Sequence, residues 1–142
     1  MPVGALQAAL AAEHAAVWAY GLAGAFISGT LAGQLGKAET VHMARRDATE
    51  RALIDAGARP VQPEPGYLTP EPVTNAASAL RLAITAETDA AAAWRSVIAR
   101  SPADPDVRES ALDALTTAAV QATRWRAAAD ADPATVPFPG AP

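Results

Sequence analysis

Three long stretches of this chain carry apolar residues in steps of three and four, and each stripe is broken near its middle by an ionisable residue. Leu6, Leu10, Val17, Tyr20, Gly24 and Ile27 share a face with Glu13. Leu31, Leu35, Ala38, Thr49 and Leu53 share one with His42, and Leu80, Ile84, Ala91, Trp94 and Ile98 share one with Glu87. The spacing predicts helices whose stripes turn towards a common core. Charge in a core needs a partner, so the chain is constrained to folds in which three helices bring these positions together. A fourth stretch, with Ala111, Leu115, Ala118, Ala122 and Trp125 on its inner face, has no ionisable residue at that depth. The expectation is an all-α four-helix bundle.

Breaks in the pattern set the boundaries. Helices are expected at about 3–28, 31–56, 75–101 and 105–129, within one domain of residues 1–132 followed by a Pro-rich tail at 133–142. The second helix starts after Ser28-Gly29-Thr30, with Thr30 as its cap, and ends at Gly57. Thr74 or Asn75 caps the third. Asp104 caps the fourth, with Pro105 in its first turn. Residues 57–74 contain Pro60, Pro63, Pro65, Pro70 and Pro72, which exclude a helix. An extended chain advances about 3.3 Å per residue against about 1.5 Å for a helix, so this segment can run the length of a bundle. Two helical hairpins joined by one long crossover follow, with the second and third helices parallel and Tyr67 and Leu68 as the crossover's anchors. The tail is either disordered or strapped to the body through Phe138. The turn at Ser28-Gly29 lies midway between Glu13 and His42, which places those two opposite each other.

Composition excludes several functions. Hydrophobic residues make up 51% of the 142-residue chain and aromatics 5%, so the apolar content is mostly alanine and leucine, which suits close-packed helices. A net charge of -4 and a pI near 5.0 argue against a nucleic-acid surface. Without cysteine there is no disulfide, thiolate chemistry or iron–sulfur cluster. No secretory leader is apparent, and Ala19–Ile27 is too short to span a bilayer. The expected location is the cytoplasm, with no membrane partner. Small residues from Ala16 to Ala25, including Gly21 and Gly24, allow close helix approach, and a homodimer is expected. Trp18, Trp94 and Trp125 read as packing anchors.

The chemistry concentrates at Glu39-Thr40-Val41-His42. Residues three apart on a helix aim at one point, which is the ligand geometry of a carboxylate-bridged metal site within a bundle. Together with Glu13-His14-Ala15-Ala16-Val17-Trp18-Ala19-Tyr20-Gly21, His42-Met43-Ala44-Arg45-Arg46-Asp47, Pro72-Val73-Thr74-Asn75-Ala76-Ala77-Ser78, Arg124-Trp125 and Pro137-Phe138-Pro139-Gly140, this pattern resembles the ferritin-like superfamily. More closely it resembles the actinobacterial ferritin-like domains of unknown function grouped as DUF4439. The resemblance implies a ferritin-like bundle and maps a di-iron ligand pattern onto Glu13, Glu39, His42 and Glu87. The fourth helix departs from that pattern: Ala118, Ala119, Gln121 and Ala122 stand where a second Glu-x-x-His belongs. Two-metal oxygen chemistry is therefore not expected, and at most a single iron or manganese ion fits the remaining ligands. The competing reading is a buried network of Glu13, His42, Arg46 and Glu87, with Arg124 reaching in from the fourth helix, in a vestigial non-catalytic bundle that acts through self-association or a protein partner. A mononuclear metal-binding protein or oxidoreductase is the alternative. A small-molecule site beside the acids, where the alanines of the fourth helix leave room, is a third reading.

Overall fold

The computed structural model describes all 142 residues and consists of four helices: α1 (Val3–Gly24), α2 (Gly29–Asp55), α3 (Ala76–Ala99) and α4 (Pro105–Ala128). It is an all-α four-helix bundle. α1 stops at Gly24, four residues before the expected end, and α2 begins at Gly29. Ser28 rather than Thr30 therefore precedes the second helix, in extended conformation. Gly29 and Gly57, at either end of α2, take φ of 69° and 76°, where a Cβ is disfavoured. Asn75 accepts a hydrogen bond from Ser78 N while the Ser78 hydroxyl takes the Asn75 N–H, a reciprocal cap that starts α3. Asp104 accepts from Val107 N with Pro105 behind it, starting α4.

Packing joins α1 to α2, α1 to α3, and α3 to α4, whereas α2 and α4 hardly touch. The bundle is thus closed on three sides and open along the fourth. Two larger apolar clusters fill its halves, and a small third of Ala16, Ala19, Leu82 and Ala86 joins α1 to α3. Of the larger two, one contains Leu6, Leu10, Leu53, Val97, Ala111 and Ala114, and the other Tyr20, Ile27, Leu35, Leu80, Ala83 and Trp125. The ionisable residues lie between these two.

The crossover runs along α1 as an extended strap. Gln7 pairs with its backbone at Arg59 and Val61, with Nε2 to Arg59 O at 2.7 Å and Val61 N to Oε1 at 2.8 Å. His14 meets Val61 O at 3.1 Å, and Trp18 packs on Tyr67 with ring centroids 5.6 Å apart. The order 7, 14, 18 on α1 follows the order of the crossover, so the strap travels from the end of α2 to the start of α3 and leaves those helices parallel. His14 is buried beneath it. Tyr67 is an anchor as expected, but Leu68 is fully exposed. The tail is also strapped, through Gly140 rather than Phe138. A Cβ on Gly140 would stand 2.6 Å from Ala91 O, while Phe138 is 80% exposed. Backbone contact needs the absent side chain; Phe138 has no such surface to enter.

Candidate functional site: a buried carboxylate–imidazole centre

Each stripe delivers its ionisable residue to the bundle centre. Glu13 and Glu87 are 0% exposed and His42 is 2% exposed. His42 Nδ1 lies 2.5 Å from Glu13 Oε2, and His42 Nε2 lies 2.7 Å from Glu87 Oε1. Two carboxylates on opposite sides of one ring require both nitrogens to donate, which only the imidazolium can do. Burial alone pulls the His42 pKa down. The hydrogen bonds to Glu13 and Glu87, reinforced by their charge, overcome this and raise it to about 9.

Aromatic donors complete the centre in a crossed pattern. Tyr20 OH of α1 donates to Glu87 Oε1 of α3 at 2.5 Å, and Trp94 Nε1 of α3 donates to Glu13 Oε1 of α1 at 2.7 Å. Each aromatic follows the glutamate of its own helix by two turns and bonds the glutamate of the other. Trp125 Nε1 of α4 donates to Tyr20 OH at 2.7 Å, which ties the last helix in. Burial, with the charge of Glu87 beside it, holds the Tyr20 phenol well above its usual range, so it acts as a donor. Arg45 brings Nη1 to 4.0 Å from Glu13 Oε1. Two carboxylates thus face an imidazolium and a guanidinium, a balanced set. Glu87 Oε2 and Arg45 Nη1 are both buried without a hydrogen-bond partner.

The structure brings together Glu13, His42 and Glu87 of the residues singled out in the sequence. Glu39, one turn before His42, is only half-buried and makes no side-chain hydrogen bond at the centre. Arg46 turns the other way, pairing with Asp47 Oδ1 at 2.8 Å beside the crossover, and the inward arginine is its neighbour Arg45. One residue on a helix is a turn of about 100°, which is enough to exchange inside for outside. Arg124 is exposed beside the C-terminal strap. Tyr20, Trp94, Trp125 and Arg45 are the members that sequence reasoning did not assign to the centre. Their signal was the seven-residue step from Glu13 to Tyr20 and from Glu87 to Trp94, which puts polar-tipped aromatics on the acids' own face. The three tryptophans are indeed packed, but two of them are also donors.

As metal ligands these residues do not fit together. Both imidazole nitrogens are engaged by carboxylates, Glu39 stands aside, α4 presents Ala118 and Ala122, and no three acidic or histidine side chains converge as ligands. A groove of about 560 Å³ lies between α2 and α4 and is lined in part by Arg45 and Trp94, the two residues that meet Glu13 Oε1. No helix is long and apolar enough to cross a membrane.

A search of curated proteins finds no match. Among solved structures the chain is similar to a conserved hypothetical protein, rv2844, from Mycobacterium tuberculosis, at 37% identity over 89% of this chain and 96% of that one, with a TM-score of 0.85. The family model described as "Domain of unknown function (DUF4439)" matches residues 5–142. With a bundle of the same shape and a match running from α1 to the terminal strap, the chain belongs to the DUF4439 family.

Proposed function

We propose that this protein is a non-catalytic four-helix module whose buried centre is structural, and that it acts by association with a second copy or with another protein. The observation that carries this reading is the internal pairing of His42 with both glutamates, which leaves Glu87 Oε2 and Arg45 Nη1 as the unpartnered atoms of the centre. Both His42 nitrogens are bonded to carboxylates, and the Tyr20 and Trp94 donors are spent on the same carboxylates. A general base or metal ligand needs a free lone pair that substrate or ion can reach. Here an imidazolium between two glutamates supplies the positive charge that a metal supplies in the ferritin-like proteins the sequence resembles.

Elemental analysis of untagged protein from iron- and manganese-supplemented cells, purified without chelator, tests this directly. The expected content is far below one ion per chain, in parallel with a sedimentation or pull-down signature of association. Near one metal per chain, falling sharply in H42A, would replace this reading with a mononuclear metal protein.

A further inference from the structure

The open side of the bundle is a groove walled by Val41, Ala44, Ala48 and Ala52 of α2 and by Asp106 and Asp113 of α4, with Leu6 and Trp94 as its floor. In a closed bundle α2 and α4 would cover this floor by packing on one another, and here they do not.

The outer face of α2 reads Gln34, Lys37, Val41, Ala44, Ala48, Arg51, Asp55. These steps alternate three and four, and every residue is exposed. The middle of this stripe, Val41, Ala44 and Ala48, is small and apolar, and its ends are polar or charged. One pair of opposite charges is placed symmetrically on it, while Arg51 falls opposite the neutral Val41. Lys37 and Asp55 lie equally far on either side of residue 46, Val41 and Arg51 do so as well, and Ala44 and Ala48 flank the midpoint. An antiparallel copy of α2 related by a two-fold axis at residue 46 therefore sets Lys37 opposite Asp55 of the other copy, twice. It sets Ala44 opposite Ala48, where small side chains let the backbones approach. Within the chain, Lys37, Arg51, Asp55, Asp106 and Asp113 make no ion pair, and so are free to meet charges of a second copy. The acidic α4 wall faces whatever enters the groove, and the stripe of a second copy carries Lys37 and Arg51 to it.

We infer that the open side is closed by a second copy of this chain, the two α2 helices pairing antiparallel about residue 46 so that each lies against the groove of the other. This rests on the self-association branch of the proposed function and specifies its surface and register. An isologous contact of this kind closes on itself and stops at a dimer.

Because the chain lacks cysteine, introduced thiols are its only ones. Full-length A44C and A48C chains, mixed and mildly oxidised, are expected to form a disulfide-linked dimer that neither forms alone. Sedimentation equilibrium is expected to give a dimer for the parent, a dissociation constant about tenfold weaker for K37D, and recovery of most of that loss in K37D/D55K. All positions are exposed, and unchanged helical circular dichroism verifies that each variant folds. A dimer that K37D leaves unaltered and that yields no mixed disulfide overturns this interface while self-association stands. A parent chain that sediments as a monomer at about 100 μM, where even a weak two-chain complex assembles, overturns the inference and the self-association branch together.

Discussion

His42 is the side chain hydrogen-bonded to both buried glutamates. Replacing it by glutamine leaves Glu87 without a cation and Glu13 with only the Arg45 guanidinium at 4.0 Å, and loss of one partner from a buried charge set costs about 3–5 kcal/mol. Urea denaturation of H42Q at pH 6 measures this. The sign of the pH dependence follows from its pKa, raised from 6.5 unfolded to about 9 folded. The protonated form binds the native state better, so the contribution is fully present below pH 6.5, declines as pH rises, and is lost above about 9. The parent urea midpoint is expected to fall between pH 6.5 and 9, and that slope to be absent in H42Q. At Tyr20, phenylalanine removes the donor to Glu87 and the acceptor for Trp125 Nε1, leaving a buried N–H unpaired. A loss of about 1–3 kcal/mol in the same assay is the expected result.

Among the elements, the caps and straps divide the work of holding four helices in register. Asn75 satisfies the first turn of α3, and N75A is expected to lower stability by about 1 kcal/mol in thermal or urea unfolding. The C-terminal strap depends on Gly140, which combines φ of 79° with a backbone contact that a methyl group would enter. G140A is therefore expected to release residues 133–142, seen as rapid proteolytic trimming of the tail with helix content unchanged. Helix existence, the crossover and both N-terminal caps of the second hairpin were legible in the sequence, since Pro, Asn and Asp act through local geometry. The end of α1 and the anchor of the tail were not. Ala25 to Ile27 continue the apolar pattern without continuing the helix, and a glycine contact with a backbone leaves no hydrophobic trace to read.

For the molecule as a whole, the central network joins all four helices through Glu13, His42, Glu87 and the Trp125–Tyr20 bond. The two larger apolar clusters above and below it are thereby coupled. Far-UV circular dichroism and the fluorescence of Trp18, Trp94 and Trp125 are expected to report one coincident urea transition. Separate midpoints would mean that the two hairpins unfold independently. The open α2/α4 side belongs to this scale too: no single helix reveals it, and it exists only because three interfaces close and the fourth does not.

The sequence by itself determined the all-α bundle, its two hairpins, the long crossover and the meeting of Glu13, His42 and Glu87. Periodicity, turn residues and the need to pair buried charge are all written in one dimension. Tertiary structure alone decided the partners. It chose Arg45 over Arg46, withdrew Glu39 from the centre, drew Tyr20, Trp94 and Trp125 in as donors and left one side of the bundle open. Those outcomes depend on how each helix is rotated about its axis, and a rotation within one residue's 100° is set by the neighbours that pack against it rather than by the spacing along the chain.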